Sequence, residues 1–174
     1  VHPVIWTPEV GVAERARRDR APYDVWVREG QLHTTPGRTI DYEVIARELA
    51  EICSTCNMQG IAFDRWRIDV LQKELDRIGA DVPLTPWGQG YASMSPALDA
   101  LEADLLNERI AHGMHPVLTM CAANATTVRD PAGNRKLDKS RQTGRIDGMQ
   151  ALAMAMGLAT SMAEEESFTG IYFV

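Results

Sequence analysis

Two aspartates stand at the ends of predicted elements, where their carboxylates could bind a metal ion together. Asp64 follows the apolar run 59–63, which predicts a short buried strand, and Asp147 lies at the start of the run 146–152, which predicts a helix. Ligands of α/β sheets gather at the carboxyl ends of the strands, where Asp64 is expected. Carboxylate oxygens suit hard cations such as Mg²⁺ or Mn²⁺. Two such ions support phosphodiester cleavage, because they activate water and stabilise the leaving oxygen.

Each aspartate also has a purely structural interpretation. Asp64 could cap the helix predicted after the strand, and Asp147 could be an acidic residue favoured by the helix dipole in a first turn. The spacing of the two residues does not distinguish these alternatives from a metal site.

A cationic stretch over residues 129–145 separates the two aspartates. It holds six cations against Asp130 and Asp138, whereas the whole chain has a formal net charge of −6. The overall charge therefore excludes binding of nucleic acid through bulk charge, and a nucleic-acid role needs this local concentration. The alternatives are a solvated hairpin and sequence-independent contact with phosphates. The six cations are Arg129, Arg135, Lys136, Lys139, Arg141 and Arg145.

Composition predicts one globular domain over residues 1–174. The chain is 45% hydrophobic and 24% charged, as in ordinary soluble proteins. Three cysteines are an odd number, which argues against a disulfide framework and favours a reducing, intracellular setting. No apolar run reaches the ~20 residues that a membrane span needs. The pairs Cys53/Cys56 and His112/His115 lack the further ligands of a zinc site, and no P-loop motif is present.

Strand and helix patterns alternate along the chain, which predicts an α/β domain. Strands are expected at 1–6, 32–35, 58–63 and 82–87, with a hairpin over 126–138. One helical region is expected over 9–30, with a break near Pro22. Further helices are expected to begin after Thr39 or Asp41, to cover 71–78, to begin at Pro116 and to begin at Asp147. Residues 168–174 are expected to form a final strand or a tail. Ser95 is expected to cap a further helix, with Pro96 at its first position.

Four separated segments resemble a known family, the large terminase subunit of tailed phages. They are Ala-Phe-Asp-Arg-Trp at 62–66, Met-Ser-Pro-Ala-Leu at 94–98, Gly-Asn-Arg-Lys-Leu-Asp-Lys-Ser at 133–140 and Gly-Arg-Ile-Asp-Gly-Met at 144–149. The resemblance covers residues from about 6 to 162 and leaves 163–174 as a tail or terminal strand. The part of the family that the chain resembles is the C-terminal nuclease domain, in the branch typified by phage HK97.

The resemblance implies an RNase H-like (integrase/RuvC-type) fold with a central mixed sheet flanked by helices. It implies an endonuclease that cuts concatemeric double-stranded viral DNA with Mg²⁺ or Mn²⁺, using two ions. By position, Asp64 and Asp147 would be catalytic metal ligands, and the basic hairpin over 126–140 would face DNA. The implied partners are the phage portal protein and the small terminase subunit, in the cytoplasm of a host bacterium.

One departure from the family keeps other functions open. The family has its first catalytic Asp on its first strand, whereas this chain is expected to begin on the second strand, with no Asp before Trp6. The first strand and one metal ligand are therefore expected to be missing. Two alternatives remain: a non-catalytic module that grips DNA or docks on the portal, and another RNase H-like nuclease of the resolvase or transposase type.

Overall fold

The computed structural model describes residues 1–66, 68–138 and 144–167, without the side chains of residues 164–167. The described strands are β1 (Trp6–Pro8), β2 (His33–Thr35), β3 (Ile61–Phe63), β4 (Leu84–Pro86), β5 (Thr127–Arg129) and β6 (Arg135–Leu137). The described helices are α1 (Val12–Asp19), α2 (Tyr23–Arg28), α3 (Tyr42–Thr55), α4 (Ile68–Ile78), α5 (Tyr91–Leu106), α6 (Pro116–Asn124) and α7 (Asp147–Ser167). The alternation predicted from the sequence is confirmed, but the first strand lies at Trp6–Pro8 and the prediction of a strand over 1–6 was wrong. Residues 168–174, where a strand or tail was expected, lie outside the described residues.

The strands pair two by two. β1 pairs with β2 in parallel, β3 pairs with β4 in parallel, and β5 forms an antiparallel hairpin with β6. Helices join the strands of each parallel pair, as the α/β class requires. The single central mixed sheet that the resemblance implied is not found among the described residues, because no described strand bridges the β1–β2 and β3–β4 pairs.

Most helix boundaries follow local signals, but one expectation was wrong. Ser95 does not cap a helix, because α5 already begins at Tyr91 and contains Pro96 in its interior. Ser95 is instead buried, and its hydroxyl accepts a hydrogen bond from the backbone N–H of Arg135 at 3.2 Å. Pro96 removes one helical hydrogen bond, and the burial of Met94 and its neighbours on α5 compensates for that loss.

Helix α7 is the centre of the main hydrophobic core. The buried side chains of this core come from α5, β6, α7 and the residue before α7: Met94, Leu98, Leu101, Leu137, Ile146, Ala153 and Met154. Gly157 allows the closest approach, since a Cβ at this position would lie 2.4 Å from Trp87 Cζ2 and 2.8 Å from Ala97 Cβ. Trp87, which directly follows β4, and Ala97 of α5 therefore both pack against α7 at Gly157.

The β3–β4 pair runs antiparallel to α7. A Cβ at Gly60, just before β3, would lie 3.0 Å from Leu158 Cδ2, whereas Gln89, beyond the end of β4, donates to Met154 Sδ at 4.0 Å. Contacts with α7 thus move toward its N-terminus as the strands run toward their carboxyl ends. The carboxyl end of β3 and the start of α7 therefore point to the same end of this layer.

A second cluster joins the N-terminal helices to α6. It contains Ala21, Tyr23, Leu32 and Val117. None of the helices in the described ranges is both long and apolar enough to cross a bilayer.

Candidate metal and nucleic-acid site

Asp64 lies directly after β3 with an exposed side chain. Its Oδ1 accepts a hydrogen bond from the backbone N–H of Trp66 at 3.2 Å. This bond closes a turn two residues before Ile68, where α4 begins, so Asp64 stabilises the exit from the strand. Trp66 itself is 80% exposed.

Asp147 is the first residue of α7, and its side chain is exposed. It lines a cavity of about 260 Å³ together with charged and polar side chains from α1, α2 and the segment before α7: Arg15, Asp19, Tyr23 and Arg145. Helix α6 covers the first turn of α7 closely, since a Cβ at Gly148 would lie 3.3 Å from Cys121 Sγ. Burial raises the pKa of the Cys121 thiol, which suits a packed, inert thiol.

The two aspartates lie toward the same end of the layer formed by β3, β4 and α7, but on different elements. In the part of the chain that the structure describes, no group of three or more His, Cys, Asp or Glu side chains is placed to hold a metal ion. Mg²⁺ typically takes one or two protein carboxylates and completes its shell with water and substrate phosphates. The type and exposure of these two donors therefore fit such an ion.

The other candidate ligand pairs make local hydrogen bonds to the backbone. Cys56 Sγ contacts the carbonyl of Ile52 at 3.0 Å at the end of α3. His115 Nδ1 accepts from the N–H of Leu118 at 3.4 Å and caps α6, while His112 Nδ1 accepts from the N–H of Met114 at 3.3 Å within a loop. The Nδ1 atoms of both histidines thus accept hydrogen bonds from nearby backbone N–H groups.

Two of the six predicted DNA contacts are engaged with α5. Arg135 donates to Asp99 with an Nη2–Oδ1 distance of 2.6 Å and also pairs with Glu102, and only 16% of its side chain is exposed. The ammonium of Lys136 lies 4.8 Å from the centroid of the Tyr91 ring. Carboxylates of α5 therefore neutralise part of the positive charge that the sequence predicted for the hairpin.

The other four differ in their surroundings. Arg129 is exposed on β5 and donates to the carbonyl of Gly133 at 3.1 Å. Lys139 and Arg141 lie outside the described residues. Arg145 donates from Nε to Asp19 Oδ2 at 3.4 Å, so its guanidinium is tied to α1.

Sequence reasoning missed the polar network around Asp19. The Asp19 carboxylate accepts from Arg18 Nε at 2.7 Å and from the Tyr23 hydroxyl at 3.2 Å. Hydrogen bonding from Arg18, helped by Tyr23 and Arg145, holds the pKa of Asp19 below its ordinary value. Burial and the neighbouring Asp19 carboxylate raise the pKa of Tyr23 to about 12. No local pattern could have signalled the link between Asp19 and Arg145, since these two residues are 126 positions apart.

The family model of the large terminase subunit, endonuclease domain, matches residues 1–164. The chain belongs to this family. The resemblance to the large terminase subunit that the four sequence segments carry is thereby confirmed.

The relatives of this terminase domain include a phage protein and a bacterial one. The chain is 55% identical over 166 residues to the "Terminase, large subunit" of Enterobacteria phage HK97, a match that covers 95% of the chain and 33% of the relative. It is 28% identical over 177 residues to "Protein YmfN" of Escherichia coli (strain K12), covering 97% of the chain and 38% of the relative. The chain thus spans between about a third and two fifths of the length of these relatives.

A solved structure supports the same branch of the family. The crystal structure of the HK97 bacteriophage large terminase aligns with a TM-score of 0.83 and 57% sequence identity, over 88% of this chain and 32% of that chain. The arrangement of strand pairs and helices described above is therefore similar to part of that large terminase.

Proposed function

We propose that this terminase domain is a divalent-metal-dependent endonuclease that cuts concatemeric double-stranded viral DNA. The observation that supports this most is the placement of Asp64 and Asp147. Both carboxylates are exposed, and both lie toward the end of the layer where β3 finishes and α7 begins. Membership of the terminase endonuclease family makes DNA the expected substrate.

In this proposal Asp64 and Asp147 hold the metal through carboxylate oxygens. When bound, one or two Mg²⁺ or Mn²⁺ ions supply a nucleophilic water and stabilise charge on the leaving oxygen. The chain's other contribution is to hold the DNA backbone, through Arg129 and Lys136 of the hairpin and through Lys139 and Arg141 after it. Such phosphate contacts are independent of base sequence and weaken with salt.

The proposal extends to partners and location. The portal protein and the small terminase subunit are the expected partners, and the cytoplasm of a bacterial host is the expected place of action. An RNase H-like fold is also proposed, since two parallel strand pairs flanked by helices are compatible with that architecture.

A second candidate function is a DNA-gripping or portal-docking module without cleavage. It is favoured by one observation: the described residues contain no group of three metal-binding side chains. The two functions differ in what they require of the aspartates, since a gripping module does not need Asp64 or Asp147.

Nicking of a supercoiled plasmid separates the two functions. With Mg²⁺ or Mn²⁺ we expect the chain to produce nicked circles, and with EDTA we expect none. Asp64→Asn or Asp147→Asn should lower the nicking rate by at least about 100-fold, because even indirect changes to a metal site typically cost 10–100-fold in activity. Binding of DNA without nicking under all conditions would establish the gripping module. Preferential cutting of branched over linear DNA would instead favour a resolvase.

A further inference from the structure

Three side-chain contacts hold the short segment that leads into α7. Asn124, the last residue of α6, donates from Nδ2 to the carbonyl of Arg145 at 3.2 Å. The same amide lies against Gly144, where a Cβ would be only 2.3 Å from Asn124 Nδ2. Arg145 in turn donates its Nε to Asp19 at 3.4 Å. Arg145 lies two residues before Asp147. Its backbone carbonyl is thus held by α6, and its side chain is held by α1.

The rest of the segment is fixed by packing. Ile146 is 4% exposed and belongs to the main core. Gly148 packs closely on Leu118 and Cys121 of α6, since a Cβ at this position would lie 3.4 Å and 3.3 Å from their side chains. Asp147 therefore has an anchored neighbour on each side while its own carboxylate stays exposed. The backbone of Asp147 therefore has little freedom to move, and the position of its carboxylate is restricted accordingly.

Asp19 is suited to be the fixed end of this connection. Its side chain is 9% exposed, and Arg18 and the buried Tyr23 orient it through hydrogen bonds. Arg145 is 53% exposed at its side chain, so it links the surface to a carboxylate that is largely covered. An arginine paired with a largely covered carboxylate keeps that geometry more strongly than a fully solvated pair does.

We propose that Asp19 and Asn124 are positioning residues for Asp147, acting through Arg145, and that Arg145 is a structural link rather than a DNA contact. The inference rests on the proposed function, since it concerns the carboxylate assigned to the metal. Groups that orient metal ligands typically change metal affinity or activity 10–100-fold when lost.

Two substitutions and two matched controls test the link. Asp19→Asn keeps the size of the side chain but removes the charge that holds Arg145, whereas Asp76→Asn makes the same change at an exposed aspartate of α4. Asn124→Ala removes the bond to the Arg145 carbonyl. Asn107→Ala is its control, because Asn107 at the end of α5 bonds only within its own helix, to Ala103, among the contacts described.

The first measurement is Mn²⁺ binding to the chain by calorimetry. We expect Asp19→Asn and Asn124→Ala to weaken Mn²⁺ binding about 10-fold or more, and both controls to leave it within about 2-fold. Unchanged affinity in both test variants would overturn the positioning role. Circular dichroism of each variant shows that the helices are intact.

Hydrogen exchange at the amides of 146–149 tests the link without metal. Asp19→Asn and Asn124→Ala should speed exchange there, and the controls should not. Unchanged exchange in both test variants would overturn the proposal even if Mn²⁺ failed to bind. Failure of the wild-type chain to bind Mn²⁺ would count against the proposed function instead.

A separate measurement tests the role of Arg145. We expect Arg145→Gln to leave the salt dependence of metal-free DNA binding unchanged. A salt slope smaller by about one unit would make Arg145 a DNA contact.

Discussion

Asp19 and Arg145 are joined by a hydrogen bond of 3.4 Å from Arg145 Nε to Asp19 Oδ2, although 126 positions separate them. The contact connects α1 with the segment that leads to Asp147 at the start of α7. The N-terminal helices therefore take part in placing a residue that local sequence signals assign to α7 alone.

The acid sensitivity of Asp19 gives a stability prediction. In the folded chain the pKa of Asp19 is lowered from 3.8, chiefly by Arg18. Its contribution to the free energy of unfolding is therefore present above pH 3.8 and is lost as pH falls through the lowered pKa. At neutral pH, Asp19→Asn should reduce the free energy of unfolding by about 1–3 kcal/mol. Urea denaturation at several pH values should show this difference shrinking in strong acid. A difference that is the same at every pH would contradict the assignment.

Gly157 should not tolerate a side chain. A Cβ at this position would meet the Trp87 ring at 2.4 Å, and the ring is not a flexible chain end. Overpacking costs about 1–3 kcal/mol, and the better helix propensity of Ala offsets up to about 1 kcal/mol of it. We therefore expect Gly157→Ala to lower the free energy of unfolding by about 1–2 kcal/mol, as measured in urea.

Ala159→Ser is the control for Gly157→Ala, because residue 159 is exposed on the same helix. It should change the free energy of unfolding by less than about 0.5 kcal/mol. Equal stability of Gly157→Ala and the wild-type chain would show that α7 does not pack on Trp87 as described.

The hairpin cations should separate into two kinds. Arg129→Ala should weaken DNA binding and reduce the salt slope by about one unit, because the exposed guanidinium is available to phosphate. Arg135→Ala should leave the slope nearly unchanged and destabilise the hairpin, since Asp99 and Glu102 hold that side chain. Fluorescence anisotropy with a labelled duplex at several salt concentrations measures both. A larger slope change for Arg135 than for Arg129 would reverse these roles.

Sequence signals were sufficient for the elements that local chemistry determines. The hairpin around residues 130–134 and the helix starts after Asp41 and at Pro116 follow from turn and capping residues, and the structure has them at those places. The prediction that Ser95 caps a helix was wrong, because a Ser-Pro pair is also compatible with a helix interior when burial of Met94 stabilises it.

Charge relationships were harder to predict than elements. The sequence pattern predicted the same role for Arg135 and Arg145 as for the other cations of the stretch. Their partners, Asp99 and Asp19, lie on helices that tertiary packing brings to them, which no local periodicity encodes. Asp64 and Asp147 were found because each stands at the end of its own element; whether both bind one ion remains a prediction.

Paramagnetic broadening by Mn²⁺ tests directly whether Asp64 and Asp147 share a metal. A ¹⁵N-labelled chain would be titrated with Mn²⁺, and the amide signals of Trp66 and Gly148 would be followed. We expect both signals to broaden together with one dissociation constant, and both effects to vanish in Asp64→Asn and in Asp147→Asn. Broadening near one aspartate alone, or persistence of either effect in the variant of the other residue, would contradict a shared metal site.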